Sequence, residues 1–168
     1  MFYTTYKSKL GKIFLISDGT SLIATFFENQ KYAKNYENLQ KNDNLEVFFK
    51  AKQWYEDYFN GKKPNPKTLP LVFDGSDFKK KVYDILLSIS YGKTITYGEI
   101  AKIISPKKKM SAQAVGNAVA HNRFIIIVPC HRVLGKNTTL TGYAAGLTKK
   151  QWLLDFEKQT IWFIWHTF

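Results

Sequence analysis

The stretch Thr96–His121, TYGEIAKIISPKKKMSAQAVGNAVAH, decides how the fold is read. Thr96-Tyr97-Gly98-Glu99 has the spacing of a capping box, a threonine hydroxyl and a glutamate three residues on satisfying the first free amides of a helix. That helix carries Ile100, Ile103 and Ile104, and Pro106 with Lys107-Lys108-Lys109 interrupts it. A second helix is expected over Ser111–His121. Two short helices joined by a brief lysine-bearing turn resemble a helix-turn-helix. On the second helix, Ala112, Val115 and Val119, with Ala118, form one buried face, while Gln113, Gly116, Asn117 and Ala120 form the other. Helices that read major-groove edges carry long donors. The small, neutral face suits close approach, as in a minor groove, and would equally suit ordinary helix packing at Gly116.

Upstream, Phe78, Val82, Ile85 and Ile89 repeat with helical spacing behind Asp77 as N-cap. Tyr91-Gly92-Lys93-Thr94 reads as a turn. Residues 60–76, with Pro64, Pro66 and Pro70, read as a link between two modules. The module before it is α/β. Lys12–Ser17 and Leu22–Phe27 are strands around an Asp18-Gly19 turn, Phe2–Tyr6 is a possible third strand, and Leu45–Phe59 is a helix whose apolar stripe is Leu45, Phe48, Tyr55 and Phe59, widened by Phe49 and Trp54. The 168 residues are 45% hydrophobic and 16% aromatic, which excludes a disordered chain. No apolar run approaches the ~18 residues of a membrane span, and Met1–Lys7 lacks the pattern of a secretory signal. A soluble intracellular protein is expected.

The net charge is +12, unevenly placed: +2 over residues 1–78, +11 over 79–150 and −1 over 151–168. The basic segment is a candidate polyanion binder, although 23 Lys against 2 Arg would also fit a lysine-rich composition that only aids solubility. The single cysteine, Cys130, excludes a disulfide framework and a Cys-rich zinc site.

Phe124–Pro129 has the pattern of a buried strand stopped by proline, and it delivers Cys130-His131-Arg132-Val133. A thiol attacks as thiolate and needs a base or a positive field. His131 is the neighbouring base and Arg132 adds charge. Adjacent side chains diverge, so a bridging water or a turn would have to connect Cys130 with His131. A third group should fix the imidazole tautomer; Asp155 and Glu157, carried by a helix over Lys149–Phe156 capped at Thr148, are the candidates. Taken alone, a lone cysteine can also be a small buried hydrophobe.

Pro129-Cys130-His131-Arg132-Val133 resembles the active-site signature of the O6-alkylguanine-DNA alkyltransferases, also called methylated-DNA–protein-cysteine methyltransferases. The likeness extends from about Phe78 to Glu157. Ile95–Ala101 and Ala112–Ala118 resemble that family's two helix-turn-helix helices, Asn122 its hinge asparagine, Gly142-Tyr143-Ala144-Ala145-Gly146-Leu147 its substrate loop, and Trp152-Leu153-Leu154 leads to its glutamate, Glu157. The resemblance implies an α+β protein. Residues 1–75 would form a small ribonuclease-H-like α/β domain and residues 76–160 a mostly helical, winged-helix-like alkyltransferase domain, with an apolar tail at 161–168 that packs back on the N-terminal domain or offers a partner patch.

It further implies a suicide enzyme that flips O6-alkylguanine, and O4-alkylthymine, out of double-stranded DNA bound through the minor groove. Cys130, His131, Glu157 and Tyr97 would be catalytic. Tyr143, Val133, Ala144 and Asn122 would shape the substrate pocket, and Gln113, Ala112, Asn117, Arg132 and Lys109 would meet DNA. Neither a metal nor an organic cofactor is implied; the protein would be a monomer, with cooperative binding on DNA open, in the cytoplasm or, in a eukaryote, the nucleus. Two departures stand out. Gln113 occupies the place of the family's arginine finger, which predicts weaker DNA binding or slower flipping. Ala144 and Ala145 stand where serine and glycine are frequent. Rival readings are a non-catalytic binder of alkylated DNA, an alkylation-responsive regulator and a Cys–His hydrolase.

Overall fold

A computed structural model describes residues 1–28, 30, 38–107 and 110–166, with 164–166 in their backbone only. The chain forms two compact units, Met1–Phe73 with Arg123–Ile127, and Asp74–Asn122 with Val128–Phe168.

The first unit is built on strands β1 (Phe2–Ser8), β2 (Gly11–Ser17), β3 (Leu22–Phe27) and β4 (Gln40–Lys41), in the order β3-β2-β1-β4. β1–β2 and β2–β3 are antiparallel, and β4 pairs parallel with β1. The Asp18-Gly19 turn closes as its sequence suggests: Asp18 Oδ1 accepts the amides of Thr20 (2.9 Å) and Ser21 (2.8 Å), and Gly19 takes the positive φ (+120°) that a side chain would resist. Helix α1 (Glu46–Phe59) lays Phe48, Ala51 and Tyr55 against the sheet. Tyr6 of β1 stacks on Tyr55 and Phe59. Full burial of side chains of this size is worth about 1.5–3 kcal/mol each, so this stripe fixes the helix. Phe49, expected to widen it, is 57% exposed.

The expected link is partly structure of this unit. Pro66–Thr68 is a 3-10 turn, and Leu71 bridges Leu22 in parallel, with Leu22 N donating to Pro70 O and Val72 N to Leu22 O. Phe124–Val128 is buried but is not the expected strand. Ile126 has φ +66° and Ile127 N turns back to Ile125 O, which breaks any ladder; only Phe124 makes a bridge, to Thr25. Arg123–Ile127 accordingly belongs with the first unit.

The second unit carries helices α2 (Asp77–Ser88), α3 (Tyr97–Ile104), α4 (Ala112–Ala120) and α5 (Leu147–His166), with β5 (Ile95–Thr96) parallel to β6 (Val133–Leu134). Ser76, not Asp77, caps α2: its backbone is extended and its hydroxyl accepts from Lys79 N, leaving Asp77 in the first turn. The capping box at α3 forms as read, with Glu99 N donating to Thr96 Oγ1 and Thr96 N to Glu99 Oε2. α3 packs on α4, whose buried residues are Val115, Ala118 and Val119; Ala112 is exposed. α5 starts at Leu147 after Gly146 and does not end near Phe156. With neither glycine nor proline to stop it, it runs on to His166, so the described part of the apolar tail is its last turns. Among the described residues no helix is long and apolar enough to cross a membrane.

Candidate active site

Cys130, His131 and Arg132 form one 3-10 turn between Pro129 and β6. Cys130 meets Asn122, while His131 and Arg132 both meet Glu157 of α5. Cys130 is 8% exposed, and its Sγ accepts a hydrogen bond from Asn122 Nδ2 (3.0 Å), which also donates to Val128 O (2.9 Å). Asn122, two residues past α4, thereby ties the end of the helix-turn-helix to the nucleophile turn. Burial pushes the Cys130 thiol up, while the Asn122 amide and the Lys150 charge pull it down.

His131 is fully buried. Its Nε2 meets Glu157 Oε1 at 2.8 Å, and its Nδ1 is buried with no hydrogen-bond partner in the protein. Burial lowers the imidazole's proton affinity against the pull of Glu157. Burial alone would push the Glu157 carboxyl up, but His131 and Arg132 outweigh it and hold it well below the usual carboxylate range. The consistent state at neutral pH is a neutral imidazole whose Nε2–H donates to an ionised Glu157, leaving the Nδ1 lone pair as the base. Of the two acids weighed as its orienting partner, Glu157 takes the role; Asp155 instead accepts from Gln151 Nε2.

Arg132 does not fit the expected DNA contact. It is 8% exposed. Its Nε lies 3.0 and 3.3 Å from the two Glu157 oxygens, its NH2 donates to Oε1 (2.9 Å) and its NH1 to Ile89 O (2.6 Å). A guanidinium matches a carboxylate as a fork, and this one clamps Glu157 inside the protein. Its plane also lies over Tyr91, 5.5 Å from the ring centroid. Gly92 N also donates to the carboxylate, at Oε2 (2.8 Å). Gly92 has φ +72°, and a Cβ there would lie 2.2 Å from Ile161 Cδ1, so the turn read at Tyr91–Thr94 needs glycine at this point.

The tyrosines lie beside this centre. Tyr143 meets the His131 ring edge-on, centroids 6.5 Å apart. Tyr97 opens α3; a Cβ on Gly116 would touch its ring at 3.9 Å and a Cβ on Gly142 would lie 3.1 Å from its hydroxyl. Tyr97 therefore bridges α4 and the Gly142-Tyr143 loop. Burial and the nearby Cys130 push its hydroxyl up. Val133 is buried and Ala144 exposed. On α4, Ala112, Gln113 and Asn117 are exposed with Ala120, and Gly116 is half-buried. Lys109 lies outside the described residues.

Lys150 was not anticipated. It is 0% exposed, and Nζ donates to the carbonyls of Val133 (2.6 Å), Gly142 (3.1 Å) and Thr141. A signal existed: Lys150, Leu153, Leu154 and Glu157 fall at i, i+3, i+4 and i+7, the buried stripe of α5. Among the described residues no cluster of three His, Cys, Asp or Glu could hold a metal.

Comparison with known proteins covers most of the chain. The family of the 6-O-methylguanine DNA methyltransferase ribonuclease-like domain matches residues 1–73, and that of the 6-O-methylguanine DNA methyltransferase DNA binding domain matches residues 77–159. The methylated-DNA–protein-cysteine methyltransferase of Haemophilus influenzae is 42% identical over 94% of this chain and 87% of its own. The constitutive enzyme of that name from Bacillus subtilis is 34% identical over 94% and 95%. The crystal structure of Mycobacterium tuberculosis OGT in complex with DNA superposes with a TM-score of 0.84 at 34% identity, covering 95% of this chain and 94% of that one. The chain belongs to the 6-O-methylguanine DNA methyltransferase family.

Proposed function

We propose that Cys130 is the acceptor in a single-turnover transfer of the alkyl group from O6-alkylguanine in duplex DNA. The family's activity, DNA repair by alkyl transfer to a protein cysteine, needs one reactive thiol, and Cys130 is the chain's only cysteine. The observation that carries the reading is the Asn122–Cys130 and His131–Glu157 pair of hydrogen bonds on one buried turn. It supplies a held sulfur, and beside it a base of fixed tautomer.

Since O6 is out of reach inside the base stack, the damaged nucleotide is flipped into the site. α4 meets the minor groove through its small face, Ala112, Gln113, Gly116 and Asn117, while the lysines of residues 79–150, Lys109 among them, neutralise phosphates without reading sequence. The thiol proton passes to His131 Nδ1 through a bridging water, and Glu157 steadies the imidazolium. Sulfur attacks the alkyl carbon in line. The S–C bond forms, the C–O6 bond breaks, and its electron pair stays on the base. Tyr97 protonates guanine N3, so a neutral base leaves, and the proton held by His131 restores Tyr97 through solvent. Tyr143, Val133 and Ala144 line the base pocket. The thioether is not hydrolysed, so each molecule acts once, as a monomer and without a cofactor. O4-alkylthymine presents the same alkyl–oxygen bond and is a second substrate.

The test is the mass of the protein after mixing with duplex carrying O6-methylguanine. A gain of one methyl group that Cys130→Ser abolishes supports the reading. Tight binding of the damaged duplex without an adduct would replace it with a non-catalytic damage binder.

A further inference from the structure

Lys150 is the only lysine among the described residues that is fully buried. Its Nζ collects three carbonyl oxygens from two segments, Val133 just after the nucleophile turn, and Thr141 with Gly142 just before Tyr143. Between them the chain makes only the short 3-10 turn Lys136–Thr138, in which Asn137 and Thr138 take positive φ, as does Gly142 at the segment's end. Buried carbonyls need donors, and an ammonium offers three in a tetrahedral set. The loop it gathers is functionally placed: Gly142 abuts the Tyr97 hydroxyl and Tyr143 faces His131.

We propose that Lys150 is a positioning residue, a pin from the first turn of α5 that fixes the Tyr143 loop against β6 and so sets where the flipped base sits relative to Cys130. This rests on the alkyl-transfer reading above. Burial pushes the ammonium down to about 8, opposed by Cys130. It is thus still charged at neutral pH, as a three-carbonyl pin requires. A neutral side chain of the same length would leave the carbonyls apart and the loop free to shift. Misplacement of a substrate by about 1 Å costs on the order of 100-fold in rate.

The test compares wild type, Lys150→Met and Lys150→Gln in three measurements. These are single-turnover methyl transfer from saturating O6-methylguanine duplex, labelling of Cys130 by iodoacetamide, and affinity for undamaged duplex. The pin predicts that Lys150→Met loses about 100-fold in transfer, the misplacement scale, with affinity unchanged and labelling slowed far less than transfer, since the ammonium also pulls the thiol down, and that Lys150→Gln, which keeps two N–H donors, recovers part of the rate. Wild-type transfer in a folded Lys150→Met overturns the proposal. So does labelling that falls in step with transfer, because the charge would then act on the thiol and not on the loop. If both variants fail to fold, the 15N ammonium resonance of Lys150 in the wild type decides. A slowly exchanging signal at neutral pH supports the pin, and an ammonium in fast exchange with water overturns it. A wild type that transfers no methyl group sinks the alkyl-transfer reading itself, and the resonance still reports on the pin.

Discussion

Arg132→Met separates two readings of the same residue. By its sequence neighbourhood Arg132 is a cation beside the nucleophile, free to meet a phosphate. In the structure it is spent inside the protein, forked on Glu157 and bonded to Ile89 O. Removing it takes the charged partner from a fully buried carboxylate, and strips Ile89 O of its Arg132 donor. Breaking one side of a buried ion pair costs about 3–5 kcal/mol, a fifth or more of the ~5–15 kcal/mol that holds a typical domain. For a chain of this length, each kcal/mol moves Tm by about 2–4 °C, so a fall of roughly 6–20 °C is expected. Urea unfolding followed by tryptophan fluorescence measures the loss directly. The companion measurement is duplex affinity against salt on the folded variant. A lost phosphate contact flattens the slope of log K against log salt by about 0.9, and the buried position predicts no change. A variant within about 1 kcal/mol of wild type, well under the cost of a broken buried pair, or a flattened salt slope, would refute the clamp.

Other outcomes follow from the same geometry. Asn122→Ala removes the donor to Cys130 Sγ and one of two donors to Val128 O, which keeps Cys130 N; it should cost about 0.5–1.5 kcal/mol for the lost hydrogen bonding, and the pH midpoint for iodoacetamide labelling of Cys130 should rise. Acid should destabilise the fold through His131 and Glu157. Both take up protons less readily folded than unfolded, so their stabilisation is whole above their ordinary values of 6.5 and 4.5 and drains as pH falls below each; urea midpoints at pH 7, 5 and 3 should decline in that order, and a flat series would contradict the assignment. Gln113→Arg should tighten duplex binding, steepen the salt slope by about 0.9 and speed repair; unchanged affinity and rate would remove charge at this exposed position from the account.

The sequence made local rules legible and long-range partners much less so. The Thr96–Glu99 capping box and the Asp18-Gly19 turn depend on residues a few positions apart, and each formed as read; of the α1 stripe, Phe48, Trp54, Tyr55 and Phe59 are buried, while Leu45 is the half-buried N-cap. Phe124–Val128 failed as a strand because its buried, β-branched composition reports burial and not pairing; the positive φ of Ile126 is set by its neighbours in space. Phe49 failed because helical spacing defines a face but not how wide the sheet beneath it is. In the site, motif order brought out Cys130, His131, Asn122 and Glu157, yet charge alone misdirected Arg132. A cation next to a nucleophile looks solvent-facing until its carboxylate, 25 residues away, is placed. Lys150 was overlooked among many lysines, although its place on the stripe with Leu153, Leu154 and Glu157 marked it.

The relay through His131 is tested most directly by the single-turnover rate of methyl transfer in His131→Gln at saturating damaged duplex. Glu157 keeps its Arg132 fork in this variant, so the carboxylate is not orphaned and Cys130 stays bonded to Asn122. With the base gone, the rate should fall by about 10²–10⁴-fold, the usual worth of a positioned general base, while affinity for the duplex is unchanged. A rate equal to wild type would contradict the account, since Cys130 would then be activated without the imidazole that Glu157 holds.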